Sequence, residues 1–196
     1  MYDGPVKFGP YIGREFYQRP CLEVAAEMVG LILVRRMPDG QLLAGQIVEV
    51  EAYVSDIDPG SHAYRGKTKR NATMFGDPGG LYVYFTYGMH WCANAVCARE
   101  GVAQAVLLRA LSPLTGLEAM RERRPKAKRD VDLCSGPAKL CQALAIDGND
   151  DAADLPADDS PIRILQDRIA PPTHPAQSTR IGLSKGTDLP WRWYIK

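Results

Sequence analysis

Two kinds of charged residue stand where strand sequence would otherwise be apolar. In Gln46-Ile47-Val48-Glu49-Val50-Glu51-Ala52-Tyr53 a two-residue period puts Glu49, Glu51 and Tyr53 on one face and gives Val48, Val50 and Ala52 to the core. In the run from Ala105 to Leu111, Arg109 interrupts an almost wholly apolar sequence. An isolated buried charge is very costly, so Arg109 calls for a carboxylate, and Glu51 is a candidate. Taken alone, such a pair is a structural salt bridge. The aromatic residues add a second signal. Tyr53 shares the face of Glu51, Tyr82 and Tyr84 share one face of a tyrosine-rich strand, Tyr87 falls at the tip of the hairpin that follows, and His62 lies in the loop after Tyr53. Each tyrosine singly is an ordinary strand residue. Together with a carboxylate they suit a flat purine or pyrimidine, since a ring stacked on a base contributes roughly 1–3 kcal/mol.

Charge is segregated along the chain although the net charge is only +1. Arg65, Lys67, Lys69 and Arg70 form one basic run without an acid, and Arg121 to Arg129 holds six basic residues and one acid, Glu122. Asp147 to Asp159 holds six aspartates and no base. A positive face and a negative back follow, with a phosphate-rich partner for the positive one. Each run taken singly reads as a solvated loop. The 196 residues, 45% hydrophobic and 24% charged, suit a single domain with one core. The five cysteines include no Cys-x-x-Cys pair, which points to buried reduced thiols and no metal. No apolar stretch approaches a membrane span, and Met1 to Pro5 carries no signal-like segment, so the chain reads as intracellular.

These residues need strands to hold them. Residues 1–19 read as an irregular N-terminal segment and 20–196 as one domain. Pro20 to Val29 has one apolar helical face. Leu31 to Arg36 and Leu42 to Tyr53 form a hairpin about Pro38-Asp39-Gly40, and Leu81 to Thr86 pairs with Trp91 to Val96 across Tyr87–His90. Gln104 to Leu111 is another strand. Ser112-Pro113 predicts a helix start with Leu114, Leu117 and Met120 buried, and Ser135-Gly136-Pro137 predicts a second helix to about Ala145. Short strands are expected at Ile162–Leu165 and Trp191–Ile195. Antiparallel strands with a few helices define an α+β fold.

The motifs Glu-Ala-Tyr (51–53), Ser-His-Ala-Tyr-Arg-Gly-Lys-Thr-Lys-Arg-Asn (61–71), Met-Phe (74–75), Pro-Gly-Gly-Leu-Tyr-Val-Tyr (78–84), Tyr-Gly-Met (87–89), Leu-Leu-Arg-Ala-Leu (107–111) and Leu-Cys-Ser-Gly-Pro-Ala-Lys-Leu-Cys-Gln-Ala-Leu (133–144) resemble the alkyladenine, or 3-methyladenine, DNA glycosylase family. The likeness runs from about Pro20 to the C-terminus and is thin at 147–178. It implies a single domain with a partly open, curved, mainly antiparallel sheet surrounded by helices, and no cofactor. It implies double-stranded DNA containing a damaged purine as partner, a monomer, and a place with the genomic DNA, whether cytoplasm and nucleoid or nucleus. By the same resemblance Glu51 is the general base, Arg109 and the backbone carbonyl of Ile181 hold the attacking water, and Tyr53, His62 and Tyr84 sandwich the flipped base. Asn94 screens purine substituents, and Tyr87 wedges into the duplex. No lysine lies in the matched pocket motifs, so hydrolysis without strand cleavage is expected.

Basic residues Arg65, Lys67, Lys69 and Arg70 are assigned to the DNA backbone. Lys139, beside Ser135-Gly136-Pro137, could meet a phosphate at a helix N-terminus, although Ser135 also reads as a simple helix cap. Two alternatives compete. A non-catalytic nucleic-acid-binding module would use the tyrosines as a stacking platform but leaves Glu51 and Arg109 unexplained. A sugar hydrolase would pair Glu51 with Glu49 or Asp56 and gives no use to the basic surface.

Overall fold

Alternating apolar and polar residues make strands the chain's main elements, and the computed structural model describes them over residues 9–166 and 175–196. Two short helices come first, α1 (Arg14–Tyr17) and α2 (Cys21–Met28). Strands β1 (Ile32–Arg36), β2 (Leu42–Val54), β3 (Leu81–Thr86), β4 (His90–Cys97) and β5 (Gln104–Thr115) follow. Helices α3 (Leu117–Arg123) and α4 (Pro137–Ala143) precede β6 (Ile162–Leu165), β7 (Ala176–Ser178) and β8 (Arg192–Tyr194). The strands form one curled antiparallel sheet in the order β3-β4-β5-β2-β1-β6, with β8 lying between β2 and β7. The fold is α+β, and the two hairpins expected from turn chemistry are both present.

Strand β2 has different neighbours along its length. Leu42–Gln46 pair with β1, Glu49–Glu51 pair with β8, and β5 runs along the other edge throughout. The register with β5 shifts between Ala44 and Gly45 and then twice more, from Ile47↔Leu111 to Glu49↔Ala110 to Val50↔Leu108. Val48 is thus an extra residue in β2 and Arg109 an extra residue in β5. Such paired bulges restore the register but invert which residues face the core. Leu43 and Ile47 enter the core before the slip, Val50, Ala52 and Val54 after it. Val48 is therefore half-buried and outside the core, against the strict alternation read from sequence. Glu49, Glu51 and Tyr53 take the opposite face.

The core face of the sheet is covered by α2, which packs on β2 and β5, and by α4, which packs on β4 and β5. Val24 and Met28 meet Val50, Val106 and Leu108 there, joined by Leu140, Cys141 and Leu144. Desolvation raises the thiols of all five buried cysteines, which are free, so they are poor nucleophiles.

Four sequence expectations change. Strand β5 continues through Ser112-Pro113 to Thr115, leaving Leu114 exposed, and α3 starts only after Gly116. Pro113 is tolerated because it sits at a register irregularity with Gly45, beyond the stretch of β5 that pairs with β4. Gly116 has φ +78, and a Cβ there would lie 2.4 Å from Leu43 Cδ2, so glycine makes the change of direction. At α4 the N-cap is Gly136; Ser135 donates instead to the Asp132 carbonyl. Residues 9–19 are built into the fold: Ile12 N–H donates to Ile164, Tyr11 bridges to Leu165 and Tyr17 is fully buried.

The acidic segment is not a solvated back. Asp150 is buried against Arg35. Asp151 accepts from Val83 N–H and from the Thr73 hydroxyl, both at 2.9 Å, and Asp154 pairs with Arg14. With Gly80 bridged to Asp154, this segment covers the free edge of β3. The second basic run is also partly spent internally, Arg121 on Asp130 and Arg129 on Asp132.

Candidate active site

The face of the sheet opposite the core carries a connected polar site. Glu51 is fully buried, and every hydrogen bond on its carboxylate comes from a different part of the chain. Oε2 accepts from the Tyr53 hydroxyl at 2.8 Å. Oε1 accepts from the Ile181 backbone N–H at 2.7 Å and lies 3.3 Å from an Arg109 guanidinium nitrogen. A carboxylate offers about four acceptor positions, so among the described residues one position on Oε2 is left beyond these three interactions.

Arg109 pairs more closely with Glu49 than with Glu51, its Nε–H donating to Glu49 Oε1 at 3.0 Å. The same oxygen is 3.0 Å from Arg192 Nε. The sequence offers Glu51 as the partner of Arg109; the structure makes Glu49 the main one, and the inversion at Val48 and Arg109 brings them together. Glu49, committed to two arginines, is not free to act as a second acid beside Glu51. Asp56, exposed and bonded to Ser55, is not placed for it either. Neither Glu49 nor Asp56 therefore meets the two-carboxylate requirement of a sugar hydrolase beside Glu51.

A cleft on this face is lined by Tyr53, Gly60, His62, Met74, Tyr82, Tyr84, Asn94 and Leu183, and Tyr53 joins it to Glu51. His62 meets Tyr84 edge to face, with ring centroids 4.5 Å apart and planes at 76°. Its Nδ1 is 3.2 Å from the Tyr82 hydroxyl. Burial against these rings, with the nearby Arg70 charge, lowers the His62 pKa, so the imidazole is neutral at pH 7. Burial pushes the Tyr82 hydroxyl up to about 12 and those of Tyr53 and Tyr84 higher, so all three remain protonated donors. Asn94 is buried, opposite Tyr82 in register, and its amide donates to the Tyr82 carbonyl. Tyr82, grouped with the other rings by its parity with Tyr84 but given no role, also lines the cleft, as do Met74 and, without any signal in the sequence, Gly60 and Leu183.

Tyr87 stands at the tip of the β3–β4 hairpin, 82% exposed and with φ +51. Gly88 follows it with φ +67, and Met89 N–H closes the turn on Thr86. Arg65, Lys67, Lys69 and Arg70 are exposed in the loop beside the cleft. Arg70 is tied down, donating to the Phe85 carbonyl and lying 5.8 Å over the Tyr84 ring. Lys67 lies 5.9 Å over the Phe75 ring. Lys139 is exposed on α4, which packs on the core face, and its ammonium donates to Ser135. The structure therefore brings Glu51, Arg109, Ile181, Tyr53, His62, Tyr84 and Asn94 together and leaves Lys139 on another layer.

A second buried pair lies next to Glu51. Arg180 and Asp58, each with a side chain 0% exposed, form a two-pronged ion pair at 2.6 and 2.7 Å. Asp58 was given no role on sequence alone.

The outer face of this curled antiparallel sheet thus carries a buried, arginine-paired carboxylate joined through Tyr53 to an aromatic cleft. The model of the methylpurine-DNA glycosylase family matches residues 15–196, and the chain belongs to that family. It is 54% identical over 187 residues to a Burkholderia lata protein, covering 95% of this chain and 88% of that one. A Streptomyces avermitilis protein is 48% identical over 184 residues, covering 93% of this chain and 86% of its own length. A Rhodopseudomonas palustris protein is 47% identical over 196 residues, covering 98% and 90%. All three are provisionally named 3-methyladenine DNA glycosylases.

Proposed function

We propose that this chain extrudes a damaged purine from duplex DNA into the tyrosine–histidine cleft and hydrolyses its bond to deoxyribose, with Glu51 as general base. The coarser statement follows from the family: the chain is a DNA glycosylase of base excision repair, a hydrolase whose substrate is DNA. The observation that supports the finer one is the buried Glu51 carboxylate, fixed from three sides and bonded to Tyr53, a wall of the aromatic cleft. A binding platform would use the rings and leave this charge without a purpose.

A base inside the duplex stack is out of reach of water, so the nucleotide must leave it, at a cost of a few kcal/mol that is smallest for a damaged pair. Tyr87 occupies the vacated space. The wall of His62 against Tyr84, with Tyr53 in the same cleft, favours a purine made cationic by alkylation, through attraction to the ring faces. A neutral His62 adds no repulsion. As the C1′–N bond breaks, the base leaves with the bonding pair and the sugar becomes oxocarbenium-like. Water oxygen bonds to C1′ while Glu51 Oε2 takes its proton. Arg109, steadied by Glu49, orients Glu51 and helps to hold the water. The Ile181 N–H orients the carboxylate, and its carbonyl is the second hold on the water. Asn94 screens substituents of the purine. The reaction ends at an abasic site without a strand break, carried out by a monomer. Arg65, Lys67, Lys69 and Arg70 meet the DNA backbone, whereas Lys139 contributes little.

Incubating wild type and Glu51→Gln with methylated duplex DNA tests this reading by quantifying free bases. Wild type should release 3-methyladenine, and the variant should lose at least about 100-fold in rate, in the range of general-base catalysis, while still binding the DNA. Release that survives the substitution would remove Glu51 from the mechanism. Absence of release by wild type on methylated, hypoxanthine or ethenoadenine DNA would favour the stacking module.

A further inference from the structure

The backbone N–H that holds Glu51 belongs to a residue that is itself poorly held. Ile181 is 48% exposed, and it lies in the stretch 179–191 between β7 and β8, which has no helix or strand. Its side chain does not fix its position. Its neighbour Arg180 does. The Arg180 guanidinium donates to both carboxylate oxygens of Asp58, to the Ala52 carbonyl at 3.0 Å and to the Gly186 carbonyl at 3.2 Å. It lies 4.6 Å from the Tyr53 ring centre and 5.3 Å from that of Trp191. Asp58 in turn accepts from Gly60 N–H at 2.9 Å and from Val54 N–H at 3.3 Å. One ion pair thus ties the end of β2, the loop that leads to His62, and the segment carrying both Ile181 and the cleft residue Leu183.

A fully buried ion pair is a poor source of stability, because desolvation offsets most of the attraction and an apolar pair of similar volume often serves as well. Its precision is another matter: a planar five-donor fork fixes a direction in a way that packing alone does not. We propose that Arg180 and Asp58 are positioning residues, holding the Ile181 N–H on Glu51 Oε1 and the Tyr53 ring against the cleft. This rests on the reading of Glu51 as the base. With the clamp gone, the segment 180–186 drifts, Glu51 loses an orienting donor, and the carboxylate no longer presents its free position to the water. A displacement of about 1 Å at such a site costs on the order of 100-fold in rate.

The test uses the whole protein, with the apolar double variant Asp58→Leu/Arg180→Met and the conservative variant Arg180→Lys. The Ile181 amide proton, read by NMR, reports the hydrogen bond to Glu51 without any substrate. Single-turnover release of 3-methyladenine reports the chemistry, and affinity for abasic-site DNA reports the rest of the interface. In the double variant we expect cooperative melting to persist, the Ile181 amide resonance to move upfield, release to slow by about 100-fold, and abasic-DNA affinity to hold. Arg180→Lys keeps the charge without the fork, and its amide shift and rate should fall between wild type and the double variant. Should the double variant not fold, Arg180→Lys carries the test alone, with the amide moved and release slowed by about 10-fold. A folded variant with an unmoved Ile181 amide and a wild-type rate overturns the proposal, as does a slowed rate that tracks lost stability while the amide stays in place. An inert wild type would sink the reading of Glu51 as the base, and the amide shift would still decide the clamp.

Discussion

His62 shows how a single side chain can be set by its neighbours. Its pKa is lowered first by desolvation against Tyr82 and Tyr84 and then by the Arg70 charge. The folded protein therefore binds a proton at His62 less readily than the unfolded chain does. The native state incurs no penalty above the ordinary histidine value of about 6.5, and it loses stability as pH falls below that value towards the lowered one. An NMR titration of the imidazole should give a midpoint under 6.5. Arg70→Gln should bring the midpoint only part of the way back, because burial is the larger cause. A wild-type midpoint at or above the ordinary value would contradict this account. The chemical consequence is a cleft imidazole that stays uncharged above the ordinary histidine value.

Among the elements, the β3–β4 hairpin carries a conformational cost at its tip. Tyr87 has φ +51, a left-handed conformation that disfavours residues with a Cβ. Tyr87→Gly should stabilise the protein by about 0.5–1 kcal/mol, seen as a higher melting temperature. The same change should weaken retention of lesion DNA in a gel-shift assay, because the ring that fills the gap is gone. A glycine variant that binds lesion DNA as wild type does would remove Tyr87 from the wedge role. Strand β2 marks the limit of what sequence could tell. Period-two alternation put Glu49, Glu51 and Tyr53 on one face correctly, because all three lie beyond the slip. It put Val48 in the core wrongly, because a bulge depends on the register with β5 and leaves no trace in β2 alone. Pro113 misled for a related reason. Its helix-start signal is local, whereas its tolerance in a strand comes from a neighbour strand ending early. The Arg180–Asp58 pair, 122 residues apart, had no local signature at all.

Over the whole molecule, charge is less segregated than the sequence suggested. Part of the acidic segment, Asp150 and Asp151, fastens β1 and β3 while Asp158 and Asp159 stay exposed, and the second basic run is partly neutralised by Asp130 and Asp132. The exposed lysines of the first run, on the same side as the cleft, remain the strongest candidates for binding phosphates. Lys67→Gln/Lys69→Gln should weaken DNA binding uniformly across sequences and flatten the dependence of log affinity on log salt by about 2, roughly one for each lysine–phosphate pairing removed. An unchanged slope would place both lysines outside the interface. The dispersal of the aspartates had no sequence signal, since a run of acids reads alike whether it is solvated or stapled to the fold.

The hydrogen bond between Ile181 and Glu51 joins residues 130 positions apart. Contacts of such separation carry a large loop-closure entropy and form late. During synthesis, strands β1 to β5 can pair and bury their core while the segment that orients Glu51 has not yet left the ribosome. A nascent chain would then hold the rings of β2 and β3 beside a Glu51 that lacks its Ile181 donor. Chemistry on DNA would be withheld until nearly all of the domain had been made.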